Sequence, residues 1–147
     1  MNSIRNGLLL LILLFIVIFN ACTNKTLHLE KEIEETESEF AEMAGEKGIP
    51  AAFIHFADDN AVILRNNRII RGKDSIRIWF SKQSYSNVSL KWKPDYINVS
   101  KSGDLAFTYG KYSYSIIDST GKEISSNGIF HTVWKRQPDG SWKYVWD

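Results

Sequence analysis

Three side chains of this 147-residue chain are the candidates for a general base: Asp58, His131 and Asp147. Each could take a proton from a carbon acid or a water if folding set it in a cavity beside donors for the developing charge. Each also has an ordinary reading. Asp58 and its neighbour Asp59 precede a strand-like stretch and suit the exit of a helix or a turn. His131 lies inside a long strand-like run, where an imidazole most often packs in a core or interface. No cysteine or acid sits at metal-ligand spacing from His55 or His131, and no phosphate loop, nucleophile elbow or dinucleotide fingerprint is present. The sequence therefore implies no metal and no cofactor. The aromatic content is the second chemical asset: five Trp, six Tyr and eight Phe, concentrated in the second half. Trp92, Tyr112, Tyr114, Trp134 and Trp146 supply a core and, for two or three of them, the wall of an apolar small-molecule site.

The elements that position these residues begin after a segment of a different kind. Arg5 precedes an unbroken apolar run from Leu8 to Phe19, followed by Asn20, Ala21 and the sole cysteine, Cys22. As a helix the run would span roughly 18 Å, against a hydrocarbon core of about 30 Å. It is a secretory signal in layout, with a small residue before the cleavage site. The junction resembles the lipobox of bacterial lipoproteins, in which the cysteine thiol takes a diacylglycerol and becomes the new N-terminus. That resemblance implies a signal peptide over 1–21, a lipidated tether over 22–28 and a folded domain over 29–147. It places the domain in the bacterial cell envelope, held on a membrane outside the cytoplasm by lipid on Cys22. An uncleaved signal anchor and a plain secreted chain are the rival readings, and a lone unpaired cysteine fits them less well.

Cleavage before Cys22 removes Arg5 and leaves 17 basic and 17 acidic side chains. A balance near zero excludes the basic excess that a nucleic-acid partner requires. The remaining length suits one domain with its own core, free of linkers and repeats.

That domain opens on a helix with Leu29, Ile33, Phe40 and Met43 at helical spacing and Thr36 filling the gap in the stripe. Glu30, Glu32, Glu34, Glu35, Glu37, Glu39, Glu42 and Glu46 then read as a solvated face. Gly48 ends this helix and Pro50 starts a second, running to about Ala57. Ala61 to Leu64 and Arg68 to Arg71 flank the Asn66-Asn67 turn of a hairpin. Gly72 breaks the second strand, and Asp74 or Ser75 caps a third helix that buries Ile76, Trp79 and Phe80. Strands follow near 88–100, 104–117, 122–137 and 141–147, joined at Ser102-Gly103-Asp104, Asp118 to Gly121 and Pro138-Asp139-Gly140. Helices first and long strands after is an α+β order. The third long strand carries Ile129, His131 and Val133 on one face and Phe130, Thr132 and Trp134 on the other. Both faces are therefore expected to be covered, one by helices and one by another surface.

The series Ala57-Asp58-Asp59, Gly72-Lys73, Gly103-Asp104-Leu105-Ala106, Trp134-Lys135-Arg136 and Asp139-Gly140-Ser141-Trp142-Lys143 resembles the nuclear transport factor 2-like superfamily. Its SnoaL-like and ketosteroid-isomerase-like branch is the nearest in look, over roughly residues 29–147. The resemblance implies a cone-shaped curved antiparallel sheet wrapped on three N-terminal helices, the cystatin-like arrangement. It also implies a homodimer formed through the sheet and an apolar small molecule in the open end. Carried across residue by residue, the isomerase base falls on Leu64, the oxyanion tyrosine near Phe40 and the second oxyanion acid near Thr132. None of the three supplies the required group, so isomerase chemistry of that type is not implied. A ligand site formed by Trp92, Tyr112, His131, Thr132 and Trp134 is the functional expectation, in a binding or assembly module. The alternative is a lyase, isomerase or hydrolase with a different catalytic arrangement.

Overall fold

The computed structural model describes residues 26–85 and 87–147; the signal, Cys22 and its tether to residue 25 lie outside them. Three helices and six strands follow in the order α1 (26–46), α2 (Ile49–Phe56), β1 (Ala57–Arg65), β2 (Arg68–Arg71), α3 (Lys73–Ser81), β3 (Val88–Val99), β4 (Leu105–Ile117), β5 (Glu123–Arg136) and β6 (Trp142–Trp146). Among the described residues no helix is long and apolar enough to cross a membrane.

The elements start and stop where backbone chemistry requires. Gly48, at φ 88°, supplies the left-handed turn between α1 and α2, and Pro50 occupies the first turn of α2. The carbonyls left without partners at the end of α2 are met by lysines: Lys143 Nζ donates to His55 O at 2.8 Å and Lys73 Nζ to Ala57 O at 3.2 Å. Asn66 and Asn67 take φ of 51° and 57° in the β1–β2 turn, the pair of left-handed residues that a two-residue hairpin needs. α3 begins one residue before the expected cap. Gly72 stands at its N-cap position without a side-chain bond, and Asp74 lies inside the first turn.

The sheet has the order β2-β1-β6-β5-β4-β3. Every pairing is antiparallel except that of β1 with β6, where Ala57 meets Tyr144 and Val62 meets Trp146 in parallel. The curved antiparallel sheet expected from the sequence is present, with one parallel pairing, β1 with β6, that the sequence reading did not foresee. Turn residues report only the hairpins between neighbours in sequence, and β1 pairs with a strand about 80 positions away. β1 also begins at Ala57, so Asp58 and Asp59 belong to the strand and cap no helix.

The helices cover the concave face. Phe40 of α1 is the hub of the core, with ring centroids of Phe53 at 4.8 Å, Phe56 at 4.9 Å, Trp92 at 4.9 Å, Tyr144 at 6.0 Å and Trp134 at 6.1 Å. One helical side chain thereby touches rings from α2, β3, β5 and β6. The buried stripe of α1 is Leu29, Ile33, Glu37, Phe40 and Ala44. Glu37 and not Thr36 fills its gap, because the steps of four, four, three and four residues return to one face. Thr36 instead bonds the carbonyl of Glu32.

The convex face is uncovered within one copy of the chain. Tyr96, Phe107 and Tyr109 are 42%, 36% and 42% exposed, and Ile129 is 67% exposed. Tyr96 stacks on Tyr109 at 5.1 Å and meets Phe107 at 5.8 Å.

Sheet curvature depends on glycine at a β-bulge. The β3–β4 register shifts between Pro94 and Tyr96, opposite Gly110. A Cβ on Gly110 would stand 2.3 Å from Lys93 O and 2.8 Å from Asp95 N, while the nearest atoms to one on Gly128 would belong to the Tyr112 side chain, at 2.6 Å. Backbone cannot yield as a side chain can. Gly110→Ala is expected to cost about 3 kcal/mol in urea unfolding, the upper end of overpacking, and Gly128→Ala distinctly less.

Candidate functional site

The strands run so that β1, β4 and β6 end, and β3 and β5 begin, at one rim of the cone. Behind that rim lies a cavity of about 600 Å³. Ile49, Phe53, Trp79 and Phe80 from the helices form one wall. Leu90, Trp92, Tyr112, Tyr114, Phe130 and Trp146 from the sheet form the other, with Tyr85 from the α3–β3 connection. The volume and the aromatic lining are those of a small-molecule site.

One charged pair borders this cavity. Arg65 Nη2 donates to Asp147 Oδ1 at 2.5 Å, and Arg65 Nη1 donates to the carbonyls of Leu64 at 2.8 Å and Asp147 at 3.3 Å. Thr132 donates its hydroxyl to Asp147 Oδ2 at 3.0 Å. The guanidinium lies 5.1 Å from the centroid of Phe53, in cation–π range. Register explains the meeting: Leu64 N bonds Asp147 O and Asp147 N bonds Val62 O, so parallel pairing of β1 with the end of β6 sets Arg65 beside Asp147. The Tyr85 phenol is pushed up by burial, with the charge of Arg65 opposing and Tyr114 adding, and it stays a neutral donor.

Beneath the cavity is a second polar cluster. Glu37, 1% exposed, accepts from Trp92 Nε1 at 2.8 Å, Thr108 Oγ1 at 2.5 Å and Trp134 Nε1 at 3.0 Å. Three donors from three adjacent strands hold one carboxylate of α1. Because the Trp92 ring is also cavity wall, Glu37 positions part of the site without bordering it. Burial drives its carboxyl above the ordinary range, the hydrogen bonds from Thr108, Trp92 and Trp134 pulling the other way.

The residues singled out from the sequence fall into three places. Trp92 and Tyr112 border the cavity. Thr132 and Trp134 are buried behind it, one bonded to Asp147 and the other to Glu37. His131 borders the rim, but its exposed ring lies toward the outer face, 6.0 Å from Phe107. Of the three candidate bases, Asp147 and His131 border the cavity and Asp58 does not. Asp58 accepts from Asn60 N and Gln137 Nε2 at the opposite end of the strands. Leu64, at the position of the isomerase base, lies on the rim, and Phe40 is core. Arg65 and Glu37 were missed. The spacing of Glu37 from Ile33 and Phe40 is the signal that would have found the latter. Among the described residues no cluster of His, Cys, Asp and Glu could hold a metal ion.

Solved structures share this arrangement of helices and sheet. A protein with a cystatin-like fold from Novosphingobium aromaticivorans superposes with a TM-score of 0.66 at 18% identity, over 82% of this chain and 79% of the other. A nuclear transport factor 2-like protein from Salmonella enterica gives 0.65 at 17% identity, over 81% and 87%. The association domain of the C. elegans calcium/calmodulin-dependent kinase II gives 0.66 at 13% identity, over 84% and 95%. The chain has the nuclear transport factor 2-like fold. No protein-family model matches the chain, and neither does any curated protein sequence. At these identities the likeness concerns the fold, and one fold can host unrelated activities.

Glu37 gives a pH test. Its folded pKa lies above the unfolded value of 4.5, so the stability it contributes is full below that value and is lost as pH rises through the folded pKa. In urea melts, wild type should lose stability relative to Glu37→Gln on going from pH 4 to pH 8, by about 1.4 kcal/mol per unit of pKa elevation. Parallel profiles for the two proteins would show that the carboxyl is not perturbed.

Proposed function

We propose that this chain is a cell-envelope lipoprotein whose cone binds a small, largely apolar molecule, and whose exposed sheet face pairs two copies. The observation that carries the binding reading is the aromatic cavity of about 600 Å³ with one charged pair in its wall. Binding is preferred to turnover because Asp147, the one carboxylate bordering the cavity among the described residues, is ion-paired with Arg65 and held by the Thr132 hydroxyl. The convex patch of Tyr96, Phe107, Tyr109 and Ile129 supports pairing, since apolar side chains at that exposure gain by being covered. The named association domain among the structural neighbours agrees with assembly through this fold.

Anchoring rests on Cys22. Acyl chains contribute about 0.8 kcal/mol per buried CH₂, so two or three of them hold a protein on a membrane durably. α1 runs from the closed end of the cone, where Glu32 pairs with Arg136 and bonds Trp142, toward the rim. The cavity would therefore open away from the lipid, toward the aqueous phase.

The full chain, extracted from its own envelope and released gently in native mass spectrometry, should carry a small-molecule mass that leaves on activation. Leu90→Trp, which fills the cavity, should lose that mass while the protein itself stays folded. A clean wild-type spectrum would overturn the binding reading. Cys22→Ser should abolish the lipid mass, and retention of an unprocessed membrane-bound chain in wild type would establish a signal anchor instead.

A further inference from the structure

β5 is paired on both sides over only part of its length. β4 follows it from Glu123 to Lys135 without a break in register, whereas β6 meets only Val133 to Arg136. On the β6 side, residues 123–132 therefore form an open edge, and among the described residues no loop or turn bonds to their backbone. This edge borders the cavity. Ile129, Phe130 and His131 all line it, as do Leu64, Arg65 and Asn66 at the end of β1. Consecutive strand residues point their side chains to opposite faces, so what three in a row share with the cavity is the edge of their strand. The mouth is thus a slot in the sheet between β5 and the end of β1, in line with β6. Because β1 and β5 flank β6, they stand two strand spacings apart, about 10 Å. One further strand fits between them.

The outer edges of the sheet are protected, and this one is not. β2 has four residues, Arg68 and Arg71 among them, and β3 carries Lys91, Lys93, Pro94 and a bulge. Short strands, charged side chains, proline and bulges all discourage strand addition. Residues 124–132 contain no lysine, arginine or proline, and their register with β4 has no shift. A second copy's β5 would bring its own β4 into the space held by the β1–β2 hairpin. A segment free of any sheet meets no such obstacle.

We propose that this slot docks an extended segment of another protein, which adds a strand to β5 in line with β6 and closes the mouth of the cavity. Main-chain hydrogen bonds supply the affinity. Every second side chain of the guest enters the cavity past Phe130 and Trp79, so apolar residues at alternate positions are selected. The edge is open whether or not the cavity holds a small molecule.

The probe is the blocked peptide acetyl-KTFTVTFTK-amide, with acetyl-KTFTPTFTK-amide as its interrupted control. Each is added to the full chain in lipid nanodiscs, and binding is read by calorimetry and by hydrogen exchange with mass spectrometry. The first peptide should slow exchange at about half of the amides of residues 124–132, since alternate N–H groups of an antiparallel strand face each side. The control should bind about tenfold more weakly, the worth of one or two hydrogen bonds. Ser126→Lys, which gives an exposed edge position the charge that the outer strands carry, should weaken the first peptide to a similar degree. Circular dichroism reports whether this variant is folded, and the two peptides decide the matter if it is not. Equal binding of both peptides with no protection at 124–132 would overturn the proposal, as would binding of neither. Protection of 124–132 without peptide, lost when the chain is diluted, would assign the edge to a second copy and overturn it too. None of these outcomes alters the small-molecule mass expected above, so the two readings fail separately.

Discussion

A buried carboxyl group with no cation partner among the described residues sits at the centre of this fold. Glu37 projects from α1 into the concave face and is met there by two indole N–H groups and a hydroxyl from β3, β4 and β5. Most of the core is non-directional aromatic contact around Phe40, which tolerates sliding of a helix over a sheet. Hydrogen bonds to a buried carboxyl group do not tolerate it, because each lost donor leaves a desolvated polar group behind. The cluster therefore sets the depth and rotation of α1, and through Trp92 it sets one wall of the cavity as well.

The cavity depends on the same division of labour between apolar area and a few directed polar groups. Aromatic rings from helices and sheet provide the volume, while β1–β6 pairing brings Arg65 and Asp147 together at the rim. Thr132, buried in β5, fixes the second oxygen of Asp147. The carboxylate is consequently as constrained as the backbone that carries it.

The strands, turns and helix ends were legible because their signals are local. Asn66-Asn67, Gly48 and Gly72 mark left-handed positions that few other residues adopt, and the long strands are bounded by turn residues. Two things were not legible for physical reasons. Glu37 sits among seven other glutamates on α1, so its type argued for solvent while its spacing argued for the core. The parallel β1–β6 pairing is a contact across most of the domain, and no turn announces it. Of the proposed ligand residues, Trp92 and Tyr112 lie on the cavity wall, whereas the outward turn of the His131 ring follows from a strand phase that a sequence apolar on both faces leaves open.

The parallel pairing also governs when the molecule can become itself. β1 and β2 form a local hairpin, and β3 to β5 form a meander, but the two halves join only when β6 inserts between β1 and β5. Loop-closure entropy must be met before that insertion is rewarded, which slows folding relative to a protein of purely local contacts. Until then the hairpin edge and the apolar inner face of the meander stand open together. Such a chain spends a vulnerable interval with both surfaces bare until its last strand arrives.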